Sequence, residues 1–344
     1  MKILSLCGNY NSLKDGIGRY TKILNDELKN NEEIEKIFIA TEYTDDLKKF
    51  KLLYSMKMSK AIIKATKIVK KEKIDTLIVE YPFIEHNPII LLFFLYLKMV
   101  CKKRNVLIIL SLHEYLRSRK LRQILIEILV RISDKIIVSD KLTKNCLLKY
   151  NSNIFIRDIP CIIDTPEVIK KNYNKEFVYF GLVNNSKAFY PMINAWKDFN
   201  RDKKYKFNVI TSSEININDC DEYNINILKN LNEDKIALYM SEANFCILPI
   251  LPSISYNNST FKTASMFGCI SIGRFDNDFK KLDFVVDLIS YEKEEFLRSF
   301  DKVINMSLEE LKEKFDKSRN FGTKFSIQNS ALQTVQIIKN KSGL

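Results

Sequence analysis

The feature that most constrains this chain is a repeated exchange between two hydrophobic periods. Short β-branched runs, KILSLCG (2–8), KIFIA (36–40), DTLIVEY (75–81), NVLIILS (105–111) and KIIVS (135–139), alternate with longer segments of helical period over 17–30, 55–73, 88–102 and 119–131. In the first helical segment Ile17, Tyr20, Ile23, Leu24 and Leu28 share one stripe. Strands that are apolar throughout are buried on both faces, and their alternation with helices predicts parallel sheets covered on both sides. The pattern breaks over 157–176, RDIPCIIDTPEVIKKNYNKE, where two prolines and a polar tail read as a linker. It resumes with FVYFG (177–181), KFNVIT (206–211), NFCILPI (244–250) and CISIG (269–273), and with helices over 192–199, 233–242, 259–267, 307–319 and 327–340. The expected class is α/β, with two Rossmann-like, doubly wound domains facing across a cleft. Their predicted spans are 1–165 and 166–325, followed by a C-terminal helix, 326–344, that packs back toward the first domain.

Length supports two domains, because 344 residues exceed what one core usually serves. The formal net charge of +13 points to an anionic partner: nucleic acid, a phosphorylated substrate or an anionic membrane. Heavy use of Lys, Asn and Ile is a compositional source for part of that excess. The seven cysteines are scattered and none forms C-x-x-C, which reads as reduced thiols of a cytoplasmic protein. With His86 and His113 the only histidines, no zinc site is expected. The opening MKILSLCGNYNS reads as a strand and not as a signal peptide. The apolar run from Ile89 to Leu97 is about half of what a spanning helix requires.

Ligands of such sheets sit beyond the carboxyl ends of the strands, so the loops there carry the candidates. In DGIGRYTKILNDEL, Gly16 and Gly18 open a helix whose free amides and positive dipole end suit a phosphate, or simply make the turn. A dinucleotide fingerprint with Glu42 as the ribose acid is opposed by Thr21 at the third glycine position and by the long Asn9–Asp15 loop. SLHEY puts His113 at the mouth of a strand, where it can bond a sugar hydroxyl or a phosphate. His86 reads as a loop residue. In FGLVNNSKAFY, Lys187 can meet a diphosphate as a point charge. In ISYNNSTFKTASMFG (254–268), Asn258 or Ser259 caps a helix. The amides of Thr260, Phe261 and Lys262, the Ser255, Ser259 and Thr260 hydroxyls and the Lys262 ammonium would then form an anion pocket.

The pairs Asp219/Asp221 and Asp276/Asp278 have a metal-binding spacing but read as solvated loops, so no metal residue is assigned. Lys57, Lys60, Lys64, Lys67 and Lys71 form a basic face on the 55–73 helix, which either rests on anionic lipid or is merely solvated. No aromatics interleave with these lysines, which argues against nucleic acid.

Taken in order, these segments resemble family 4 glycosyltransferases of the GT-B fold. DGIGRYTKILNDEL resembles the family's glycine loop and first helix, and LIILSLHEY its strand with a terminal histidine. SDKIIVSDKLTKNCL, IPCIID, FGLVNNSKAF and ILKNLNEDKIALYMSEANFCILP resemble the segments that follow. The resemblance implies transfer of a sugar from a nucleotide-diphosphate sugar with retention, with no cofactor and no obligatory metal. It implies that Gly16 approaches the diphosphate or reacting sugar, that His113 contacts the donor sugar and that Lys187 binds the diphosphate.

Two departures stand out. Leu182 occupies a usual arginine position, and Ser255 and Thr263 occupy those of two usual glutamates. A branch patterned G-x-S-x-R-R-G-S/T-L fits better, with Asn257 and Asn258 at its arginines. The expected partners are a nucleotide sugar, a saccharide or lipid-linked acceptor of surface polysaccharide or glycolipid assembly, and an anionic membrane at the 55–73 helix. Two alternatives stay open: a catalytically weak GT-B binding subunit, and an NAD-dependent oxidoreductase.

Overall fold

The structure, a computed structural model, describes residues 1–8, 10, 16–41, 57–82, 89–116, 118–161, 163 and 172–340. The chain forms two compact units. One comprises Met1–Asp158 and Ile327–Leu344, and the other Ile159–Ser326. The first crossover therefore falls at the start of the proline-containing stretch, ahead of residue 165, and the last helix belongs with the N-terminal unit.

The first unit holds six parallel strands: β1 (Lys2–Leu6), β2 (Lys36–Ala40), β3 (Thr76–Tyr81), β4 (Leu107–Leu112), β5 (Lys135–Val138) and β6 (Ile154–Ile156). Their order is β2-β1-β3-β4-β5-β6. Helices α1 (Gly16–Leu28), α2 (Lys57–Lys71), α3 (Ile89–Lys103), α4 (Lys120–Ile132) and α5 (Lys141–Leu147) connect them. Successive strand residues point to opposite faces. Leu4, Leu77, Ile108 and Ile136 pack with Ile62, Phe94 and Leu129 on the α2–α4 side. Ile3, Ile78, Ile109 and Ile137 pack on the other side with Tyr20 and Leu24 of α1 and with Ala331 and Val335 of the last helix, Ile327–Lys339. Each such aliphatic side chain removed from water contributes about 1.5–3 kcal/mol.

The second unit repeats the design with β7 (Phe177–Phe180), β8 (Phe207–Thr211), β9 (Ile225–Lys229), β10 (Phe245–Leu248), β11 (Ile270–Gly273) and β12 (Val285–Asp287). All pairs are parallel, in the order β12-β11-β10-β7-β8-β9. Its helices are α6 (Phe189–Phe199), α7 (Glu233–Glu242), α8 (Ser259–Met266), α9 (Lys293–Ile304) and α10 (Leu308–Gly322), which makes the last helix of the chain α11. An aromatic cluster of Phe177, Trp196, Phe207, Phe245 and Phe300 fills the α6/α9 side. Phe180, Met240, Phe261 and Phe267 fill the α7/α8 side. Gly268 ends α8 with φ +71°, and a Cβ there would lie 2.1 Å from the Phe315 ring. Only glycine meets both demands at that position.

Strand order fixes where a ligand can enter each unit. Neighbouring strands whose crossovers leave in opposite directions open a crevice at their carboxyl ends. In the first unit that place lies between β1 and β3, and in the second between β7 and β10.

Candidate functional sites, one in each unit

In the first unit, the strand residues that face α1 and α11 change from apolar to polar toward the carboxyl edge. Ile3 is followed by Ser5, Ile78 by Glu80, Ile109 by Ser111 and Ile137 by Ser139, all buried. Arg157, just past β6, is also buried, and its amide continues the ladder to Val138 O. His113 follows β4 and is fixed by its amide on Tyr81 O at 3.0 Å.

These side chains form one network. His113 Nε2 lies 2.7 Å from Glu80 Oε2. Arg157 donates to the Ser111 hydroxyl at 2.8 Å and to the Thr334 hydroxyl at 3.1 Å, and its guanidinium is 3.6 Å from Glu80 Oε1. Tyr20 meets the His113 ring edge-on, with centroids 5.0 Å apart. Burial opposes ionisation of Glu80, but the Arg157 guanidinium, His113 and the Ser111 hydroxyl together hold its carboxyl below the usual range. An ionised carboxylate only accepts hydrogen bonds, so Nε2 of His113 carries the proton. Nδ1 is then the ring atom left for a ligand, and it has no partner among the described residues. Gly16 begins α1, and a Cβ added there would meet none of the described residues within 4 Å.

Glu80 and Arg157 were not singled out by sequence reasoning. The signal was an acid in the otherwise apolar strand TLIVEY and an arginine directly after IFI. Charges at buried strand ends need partners, so each predicts the other.

In the second unit, the loops after β7 and β10 are stitched together at the crossover point. Leu251 N donates to Ser186 O at 2.9 Å and Ala188 N to Pro249 O at 2.7 Å, and Lys187 and Ile250 form an antiparallel bridge. Asn184 Oδ1 braces the turn by accepting from Ser186 N at 3.0 Å. Lys187 is therefore held on a fixed backbone. Its ammonium is largely desolvated and has no anionic or hydrogen-bonding partner among the described residues. Burial pushes its pKa down from 10.5 to about 8.

The loop after β10 runs into α8. Asn258 is the N-cap, accepting from Phe261 N at 2.7 Å, and Lys262 N is satisfied by Asn258 O. Two of the three amides expected to be free are thus taken. The Ser259 and Thr260 amides, and the hydroxyls of Ser255, Ser259 and Thr260, have no partner among the described residues. Asn257 Oδ1 is shielded from solvent and unpaired as well.

Lys262 does not join them. Its side chain is fully buried, with Nζ 3.1 Å from Ile159 O and over the rings of Tyr256 (4.5 Å) and Phe325 (4.2 Å). The fourth position of this helix faces inward, so the ammonium is solvated by a carbonyl and two π-faces. Thr263 is fully buried too, beside the Cys161 thiol, while Leu182 is exposed with its carbonyl accepting from the Tyr179 hydroxyl.

The remaining sequence candidates fall elsewhere. Glu42 and His86, the Asn9 and Asn11–Asp15 positions of the first loop, and Ser55 and Met56 of the basic stretch lie outside the described residues. Thr21 is buried, its hydroxyl donating to Ile17 O at 2.7 Å. Asp219 pairs with Lys197 at 3.9 Å, and Asp276 accepts from the Ser253 hydroxyl. Among the described residues no group of three or more His, Cys, Asp or Glu side chains converges as a metal site would require.

No protein-family model matches the chain, and no curated protein is similar to it. Solved structures are. A glycosyltransferase from Rickettsia africae superposes with a TM-score of 0.65 at 13% identity, over 99% of both chains. An α-glucosyltransferase in complex with UDP-glucose and DNA containing an abasic site gives 0.62 at 14%, over 99% of this chain and 100% of that one. A UDP-N-acetylglucosamine 2-epimerase gives 0.60 at 10%, over 98% and 95%. The chain has the GT-B fold, built of two α/β units with parallel six-stranded sheets.

Proposed function

We propose that this chain is a nucleotide-sugar glycosyltransferase whose donor diphosphate occupies the β7/β10 crossover point. The observation that carries the reading is Lys187. A desolvated ammonium with no partner among the described residues, held on a braced loop, is costly unless an anion arrives. The free amides and hydroxyls at the start of α8 offer further donors on the loop joined to it. Solved structures of the same fold hold UDP-glucose, which supports a nucleoside diphosphate as that anion.

In the transfer, the bond between the anomeric carbon and the diphosphate oxygen breaks and charge grows on the departing diphosphate. Fixed donors stabilise that charge more than they stabilise the ground state. Lys187 supplies the full charge, and Ser255, Ser259 and Thr260 supply hydroxyls and amides. Within the first unit, Nδ1 of His113 is offered to a sugar hydroxyl, and Gly16 at the start of α1 carries no side chain to hinder a substrate group. Retention of configuration, independence of a metal and a role in surface polysaccharide or glycolipid assembly follow from the family resemblance and belong to the same proposal.

A second reading has its own support. Thr263 is sealed in the core, Lys262 is engaged there and Leu182 stands at the usual arginine position, so donor contacts are fewer than the family pattern provides. This favours a binding subunit of low activity. The fold also houses an epimerase, so architecture alone does not choose the reaction.

Calorimetry with UDP-, GDP- and ADP-sugars and NAD, followed by assay of nucleoside diphosphate release with saccharide and lipid-linked acceptors, separates these. Binding with acceptor-dependent release supports the transferase. Binding without release supports the subunit, and a changed sugar on an intact nucleotide indicates an epimerase. NAD binding with no sugar-nucleotide binding would overturn the proposal.

A further inference from the structure

The outer surface of the first unit carries a feature that catalysis at the strand ends does not use. Helix α3 packs against α2 and α4, and Phe94, Leu97 and Cys101 anchor it in the core. Its opposite side is apolar as well. Leu92 is 67% exposed and Met99 57%, with Leu95 and Tyr96 also exposed between them. The spacing i, i+3, i+4, i+7 puts all four on one face. Helix α4 adds Leu121, 84% exposed, and Ile124, 53% exposed. Soluble surfaces scatter such residues singly, whereas a contiguous group marks a docking face.

The neighbouring surface is basic. In α2, Lys60, Lys64, Lys67, Lys70 and Lys71 are exposed, while Ala61, Ile62, Ala65 and Val69 face the core. Neither α2 nor α3 contains a carboxylate. Lys70 Nζ donates to the Tyr96 hydroxyl at 2.8 Å, tying the basic face to the apolar one.

We infer that α3, flanked by α2 and α4, seats this protein on an anionic lipid bilayer, with the α3 and α4 side chains entering the acyl boundary and the α2 lysines meeting headgroups. Charge selects this occupant. A second copy joined through the same face would bring lysine-rich surfaces together, and like charges oppose that. Anionic headgroups neutralise them. Sequence reasoning placed a membrane contact on the lysines of α2 alone. On α2 Ile63 is exposed, and the next two helices supply the larger group of exposed apolar side chains that insertion needs. The inference stands on this surface and is independent of the transferase reading, since its test needs no turnover.

The test is co-sedimentation of the full chain with phosphatidylcholine vesicles, with and without phosphatidylglycerol. The parent is expected to sediment with anionic vesicles, less so as salt rises, and to stay free of neutral ones. A Leu92→Gln, Met99→Gln variant is expected to lose about tenfold or more in partitioning, the scale of leaving two apolar side chains in water. Changing Lys60, Lys64 and Lys67 to Ser is expected to weaken binding about fivefold per lysine. Both sets are exposed, so circular dichroism should report parental folding. A Leu308→Gln, Leu332→Gln variant, altered at exposed positions on α10 and α11, serves as the control and is expected to bind as the parent does. Failure of the parent to bind anionic vesicles would overturn the inference. So would an α3 variant that binds as the parent does, or a lipid-free dimer that the α3 variant dissolves.

Discussion

Replacing Lys187 by Met tests the donor site through two opposite effects. Burial brings the ammonium from 10.5 down to about 8. At 1.36 kcal/mol per pKa unit, keeping it charged in the unliganded fold costs about 3 kcal/mol. Met keeps the apolar stem and removes the charge, so the variant should be more stable than the parent at pH 7, by about 1–3 kcal/mol. The pH dependence has a definite sign. Above pH 8 the folded parent releases this proton, while the unfolded chain keeps it up to about 10.5. The parent therefore regains stability across that window, and the advantage of Met fades there. Binding moves the other way. A charged donor to a phosphate contributes about 1.5–3 kcal/mol, so Met should weaken UDP binding roughly ten- to a hundredfold. Parental affinity should fall as pH rises through 8, and the affinity of the variant should not change there. Urea unfolding at pH 7 and 10 and calorimetry with UDP measure both effects. A variant that is no more stable at pH 7 and binds UDP as tightly would refute the reasoning.

Three further outcomes are expected. Only two histidines are present, so a His86→Gln background leaves one imidazole signal in long-range proton–nitrogen spectra. His113 should show the Nε2–H form, and Glu80→Gln should mix the two tautomers, whereas an unchanged spectrum would show that Glu80 does not set the ring. Gly16→Ala should leave thermal unfolding unaltered, because none of the described residues lies within 4 Å of the added carbon, yet lower sugar transfer by about tenfold if the sugar approaches there. Lys262→Ala should destabilise the second unit by about 2–4 kcal/mol and leave UDP affinity unchanged, and a loss of affinity in a normally folded variant would place its ammonium back in the site.

Much of the fold was legible because strand and helix periods differ and the strands are buried on both faces. KIFIA and the α7 helix begin and end where periodicity put them. β6, β9 and β12 were not read. β6 and β12 have three residues each, INILK of β9 carries an amide and a lysine, and all three are edge strands. Helix α9, KEEFLRSFDKVI, hid a stripe of Phe296, Phe300 and Val303 among charges.

Sequence places the candidate residues on strand-end loops but does not give the direction of their side chains. Lys187 and Lys262 look alike in sequence. One lies on a loop braced from the β10 side, and the other is drawn inward by Phe325, far along the chain. Likewise composition cannot tell which of the apolar sides of α3 lacks a partner.

The most direct measurement of the central claim is a crystal structure of the chain soaked with UDP. It should show the diphosphate about 3 Å from Lys187 Nζ and from the Ser259 or Thr260 amide, at the carboxyl ends of β7 and β10. A diphosphate bound instead at the start of α1, with Lys187 still unpartnered, would contradict it.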